Sequence, residues 1–251
     1  MILYEYPCNE RVRTFLRVES IFKRLFYFTE GADSYLHQVA ITTLLDLLDV
    51  TERSDLRGMI LQDLERQRST LAGLREHPEV SATMLEQMLD EIHKTSSELA
   101  SHGRIAQELR SNEWLSSLRG RLVVPGGYSP VDMPSFYGWQ MQSIEKRQAD
   151  LKAWSAYFMP LFNALDLLLR ILRGAGDITD QHAVEGCYQE MLGGKSFQLL
   201  RVWVEAKYGV FPEMSANKYV ILVRFSRQDH EHKPMTVRDS LPFKIARCNV
   251  G

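Results

Sequence analysis

Apolar residues recur every three to four positions through most of the chain and switch to every second position in the last third. Residues 2–7 (ILYEYP) alternate like a short strand stopped by Pro7, and Asn9 then stands where a helix needs a side-chain acceptor for its first free N–H groups. The helix that follows carries Val12, Phe15, Leu16, Phe22, Leu25 and Phe26 on one face and ends at Gly31. A second opens near Ser34. A third opens at Ser54 and runs to His77, with Ile60, Leu64, Gln67, Leu71 and Leu74 spaced like a heptad seam. The fourth opens at Ser81 and shows Leu85, Met88, Leu89, Ile92 and Leu99 at helical spacing.

Residues 104–110 and 112–119 read as two short helices around Ser111. From Arg119 the run VVPGGYSPVDMP has a β-and-turn composition, because its prolines and glycines break any helix. Pro134 suits the first turn of another helix, and 145–173 reads as one long helix bent at Pro160. Beyond residue 176, the segments 197–206, 218–226 and 243–247 alternate as strands. The fold class is therefore α+β, a large helical domain beside a smaller antiparallel β-domain. The helical domain takes residues 8–118 and 134–175 and is expected to carry dimerisation and any partner cleft, since it has more apolar stripes than one small core can use; the β-domain takes 2–7, 119–133 and 176–251, since isolated strands need a sheet to satisfy their backbone groups.

Composition narrows the function. In 251 residues, 45% are hydrophobic and 25% charged, which excludes a disordered or low-complexity chain. Thirty Lys+Arg against 32 Asp+Glu give a net charge of -2, so no global basic field exists to hold a polyanion, and nucleic acid is a poor main partner. The longest apolar stretch, 157–172, is interrupted by Asn163, Asp166 and Arg170 and predicts no membrane span. Three widely separated cysteines without CxxC spacing fit a reducing cytoplasm.

Motifs for chemistry are few. Gly193-Gly194-Lys195-Ser196 resembles the end of a phosphate-binding loop, but Gln189 stands where the first glycine belongs and a strand follows where a helix should. It is expected to be a hairpin turn. His230 and His232 flank Glu231 with no further ligand nearby, and no other histidine has metal-binding spacing. No nucleophile elbow or nucleophile–base signature occurs. The expectation is a non-enzymatic protein without metal or cofactor. The seam residues Leu71, Leu74 and Met88, with Ile171 on the late helix, fit either a core or an open groove for an amphipathic partner segment. Composition does not choose between the two.

In order and spacing, the segments YEYPCNERVRTFLRVE, LLDLLDVTERSDLRGMILQDLERQRSTL, GRIAQELRSNEWLSSLRGRLVVPGG, DMPSFYGW and GCYQ resemble the ZapD family of cell division proteins across nearly the whole chain. The resemblance implies a homodimer at the mid-cell division ring that binds the C-terminal tail of FtsZ and bundles FtsZ filaments. It implies a hydrophobic tail cleft at Leu71, Leu74, Met88 and Ile171, where relatives carry tryptophan at position 74 and leucines at 88 and 171. Arg13, Arg17, Arg53 and Arg173 lie in matching segments and are the candidate contacts for acidic tail residues. Relatives carry a histidine at the position of Tyr137, so no role passes to it. Two other classes remain open: an adaptor using Arg119, Arg121, Lys218 and Arg224 as a local basic patch, and a small-molecule enzyme at the domain junction.

Overall fold

The structure, a computed structural model, describes residues 1–78, 80–122 and 124–250. The fold is α+β, and the chain divides into a sheet unit, Met1–Leu16 with Leu169–Gly251, and a helical unit, Arg17–Leu168.

In the sheet unit, β1 (Ile2–Pro7), β2 (Ile178–Ala183), β4 (Leu199–Val204) and β8 (Leu241–Cys248) form one antiparallel sheet in the order β1-β4-β8-β2. A second sheet runs β3 (Cys187–Met191), β6 (Val220–Gln228), β5 (Phe211–Ala216), and β7 (Pro234–Thr236) also pairs with β6. The inward positions of both sheets share one core that includes Val202, Val204, Ile221, Val223, Phe225, Phe243 and Ile245. That period-two burial is what fixes the register, because a one-residue slip would turn every core side chain outward. Arg247 on β8 reaches Glu190 on β3 through Nε at 2.8 Å and Tyr188 Oη through Nη2 at 3.1 Å, tying one sheet to the other. The β2–β3 turn requires Gly186: its φ is +71°, and a Cβ there would lie 2.0 Å from the Val237 carbonyl oxygen.

The helical unit holds most of α1 (Glu10–Thr29), then α2 (Ser34–Arg53), α3 (Leu56–Ala72), α4 (Ala82–Ser101), α5 (Gln107–Arg110), α6 (Glu113–Leu122), α7 (Pro134–Gln140), α8 (Ile144–Ala156) and the first part of α9 (Met159–Gly174). Caps explain several starts: Asp33 Oδ1 accepts from the Tyr35 N–H at 2.7 Å, and Asp55 Oδ1 from the Gly58 N–H at 2.9 Å. Phe22 and Phe26 on α1 pack against Phe162 on α9 with ring centroids 5.1 and 4.9 Å apart. Trp114, Phe136, Trp139 and Trp154 form a second aromatic cluster.

Three expectations change. The segment 119–133 is not a strand: α6 continues to Leu122, and turns occupy the described residues from Val124 to Asp132, while Val123 lies outside the described residues. Apolar Leu115 and Leu118 on α6 are buried in the helical unit, and that burial outweighs the β-like composition downstream. The long bent helix is two helices at 68°, broken at Tyr157 and Phe158. Pro160 sits in the first turn of α9, where its missing N–H is not needed. Gly193 and Gly194, both at positive φ, make a turn from β3 in one sheet to β4 in the other, not a hairpin.

Candidate functional site

α3 and α4 form an antiparallel pair fastened at both ends. At one end Arg57 donates to the carbonyls of Leu99 and Ala100 at 3.2 and 2.6 Å, covering acceptors left over at the end of α4. At the other, the Arg75 guanidinium forks onto Glu86 at 2.8 and 3.2 Å. The hydrogen bond from Arg75 holds the Glu86 carboxyl below its usual range. Ile60, Leu64, Leu85, Leu89 and Ile92 fill the buried interior of this pair.

The seam emerges from the core near Arg75. α3 stops at Ala72, short of the expected His77, because Gly73 follows and the chain turns through hydrogen bonds from Leu74 N to Leu71 O and from His77 N to Leu74 O. Leu71 is half-buried, Leu74 lies in the turn at 36% exposure, Met88 is half-buried and Met84 is 71% exposed. The Arg75–Glu86 pair brings the segments carrying these four residues together at the tip of the α3–α4 pair.

The other candidates lie on α1, α2 and α9. Ile171 is half-buried on the part of α9 that belongs to the sheet unit. Arg173, in the same unit, donates to Glu5 at 2.9 and 2.7 Å, and Arg201 shares that carboxylate at 3.0 Å. Its guanidinium is thus engaged inside the sheet unit. Arg13 forms a local ion pair with Glu10 at 3.0 Å, and Arg17 is exposed on α1.

Arg53 lines a groove of about 690 Å³ with Thr42, Leu45, Asp46 and Asp49 of α2 and Ser116, Arg119 and Gly120 of α6. Arg119 Nη2 lies 2.5 Å from Asp49 Oδ1 and 3.0 Å from Glu52 Oε2. Arg104 and Arg110 approach the same Glu52 at 3.5 and 3.6 Å. The hydrogen bond from Arg119, followed by the nearby charges of Arg110 and Arg104, pulls the Glu52 carboxyl below its usual range. Burial pushes the Arg110 guanidinium down from its ordinary value. Asp46 pairs with Arg24, and Arg104, Arg110 and Arg119 converge on Glu52, so an arginine-rich network borders the groove that Arg53 and Arg119 line together with Asp46 and Asp49.

Sequence reasoning singled out Arg53, and Arg119 as one residue of a local basic patch, but missed the acidic and apolar lining of this groove. Thr42, Leu45, Asp49 and Arg53 recur at spacings of three and four, so the stripe was present in the sequence but alternated apolar, acidic and basic residues. Lys233 N and Glu231 N donate to Asp229 Oδ1 in the β6–β7 turn that holds His230 and His232. Among the described residues no group of three His, Cys, Asp or Glu side chains is placed to hold a metal ion, and no single helix is long and apolar enough to cross a membrane.

Residues 16–224 match the ZapD family, described as cell division protein. Over 249 residues the chain is 53% identical to the cell division protein ZapD of Bordetella petrii, covering 99% of this chain and 100% of the relative. The Bordetella pertussis protein of that name is 51% identical over 249 residues, covering 99% and 98%. That of Janthinobacterium sp. (strain Marseille) is 42% identical over 250 residues, covering 99% and 100%. A match of this extent, over a chain whose α+β architecture agrees with the resemblance, places the protein in the ZapD family of cell division proteins.

Proposed function

We propose that this chain binds the C-terminal tail of FtsZ through its helical unit and, as a homodimer, cross-links FtsZ filaments at the division ring. The observation that carries the reading is the cluster of Arg104, Arg110 and Arg119 bordering the α2–α6 groove that Arg53 also lines, which suits a segment bearing acidic residues. Leu71, Leu74 and Met88 supply the apolar anchor that the acidic segment alone would lack.

Bundling then needs no chemistry. A two-fold dimer carries two tail sites, and each filament offers many tails, so modest affinity at one site is multiplied once the first is engaged. The test is co-sedimentation of the protein with FtsZ filaments that have or lack the tail. Equal co-sedimentation with tailless filaments would remove the reading.

A further inference from the structure

The arginines that border the α2–α6 groove already hold a carboxylate. Glu52 stands in the last turn of α2, 3.0 Å from Arg119, 3.5 Å from Arg104 and 3.6 Å from Arg110. Its own helix does not favour it there, because the last turn carries unpaired carbonyls and the negative end of the helix dipole, which repel an acidic side chain. The three guanidiniums hold it in place. None of them depends on Glu52 alone. Arg119 Nη2 also lies 2.5 Å from Asp49 Oδ1, and the Arg104 side chain is 57% exposed to water. Arg110, the buried one of the three, donates to the Leu48 carbonyl at 3.1 Å and to Thr51 Oγ1 at 2.8 Å. The Glu52 side chain is 39% exposed, so its carboxylate can swing into water while the buried Arg110 keeps two acceptors.

We propose that Glu52 is an internal competitor of the docking segment: its carboxylate occupies these arginines until an acidic side chain of the FtsZ tail displaces it. The inference rests on the tail reading above and names a residue that tunes it. Arg119 is the shared member, because it lines the groove with Arg53 and also bonds Glu52. A tail carboxylate arriving from the groove meets a guanidinium already shared by Asp49 and Glu52, and three carboxylates around one guanidinium repel one another. Asp49 Oδ1 is buried, whereas the Arg119–Glu52 bond lies on the exposed side, so Glu52 is the one that leaves. Docking then exchanges one carboxylate for another, and the internal one weakens the ionic part of tail binding.

The test titrates a synthetic FtsZ tail peptide, followed by anisotropy, against full-length wild type, Glu52→Gln and Asp166→Asn. The last variant removes an exposed carboxylate from α9 in the helical unit, outside this network. Glu52→Gln is expected to bind about threefold tighter, since an exposed ion pair no longer has to be broken. Asp166→Asn should match wild type, and a peptide whose acidic residues are replaced by their amides should bind wild type and Glu52→Gln alike. Where Glu52→Gln melts below wild type, Glu52→Asp is read in its place; its shorter side chain keeps the charge but holds the guanidiniums less well, and it should bind about twofold tighter. Binding that is unchanged or weaker in these variants, with the peptide binding wild type, overturns the competitor role and leaves the tail reading standing. An equal gain in Asp166→Asn, or with the neutral peptide, overturns it as well. A tail peptide that does not bind wild type overturns both.

Discussion

Arg147 donates through Nε to Nδ1 of His37 at 2.9 Å, and both side chains are buried in the helical unit. A guanidinium only donates and the Gly31 carbonyl, 2.7 Å from Nε2, only accepts, so in this arrangement His37 accepts at Nδ1 and donates at Nε2. The other Arg147 nitrogens reach the carbonyls of Gln140 at 2.9 Å, Gln142, and Ala32 at 3.2 Å. This buried charge is thus solvated by backbone dipoles from the α1–α2 and α7–α8 turns. It locks those turns together.

Arg147→Met is expected to lose about 3 kcal/mol of stability, because several buried carbonyls and one imidazole nitrogen lose their donor at once. Urea unfolding followed by circular dichroism measures it. A loss below about 1 kcal/mol would show that water replaces the guanidinium.

Leu74→Asp should leave the fold within about 0.5 kcal/mol of wild type, since the side chain sits in an exposed turn past the end of α3. Binding of an FtsZ tail peptide should be lost in this variant and in Met88→Asp. Anisotropy titration paired with a thermal melt separates the two effects: unfolding together with loss of binding would return these positions to the core.

Arg53→Gln should weaken the tail peptide by about 0.2–1 kcal/mol, the usual range for an exposed ion pair, and flatten the salt dependence of binding. The apolar anchor, worth about 1.5–3 kcal/mol per buried side chain, should persist at physiological salt. Peptide binding that vanished there, while a peptide without its apolar residues still bound at low salt, would make the groove the whole site.

Burial, with the neighbouring Cys248 second, pushes the Cys8 thiol up from 9.0 to about 11. The protonated thiol is favoured by the folded state, so its contribution to stability is full below pH 9.0 and is lost as pH rises toward 11. Iodoacetamide should therefore modify Cys8 far more slowly in the native protein than in urea at pH 8, with native reactivity climbing above pH 9. Mass spectrometry reads the site, and equal rates in both states at pH 8 would contradict the shift.

Periodicity made most helices legible, because α1, α2 and α4 each bury one stripe against a neighbour; the starts at Asn9 and Ser81 were expected, while α2 is capped by Asp33, one residue before the expected Ser34. β1, β4, β6 and β8 were legible as alternating runs. β2, β3 and β5 were not: their apolar and polar residues do not alternate cleanly, and only pairing with β8 and β6 makes them strands. The extreme C-terminal region shows the same limit, since only 243–247 read as a strand, while β8 runs from Leu241 to Cys248 between β4 and β2.

The sequence by itself determined the fold class, the family and the apolar identity of Leu71, Leu74 and Met88, since all three are properties of residue order. Tertiary structure decided what each candidate side chain meets. Ion pairing is not written in local spacing: Arg173 meets Glu5, 168 positions away in the chain, while Arg119 meets Asp49 and Glu52 from another helix. The same holds for where a seam ends. Ile60 and Leu71 look alike in sequence, yet one is fully buried and the other half-open, because packing between α3 and α4 covers the first and the turn at Gly73 uncovers the second.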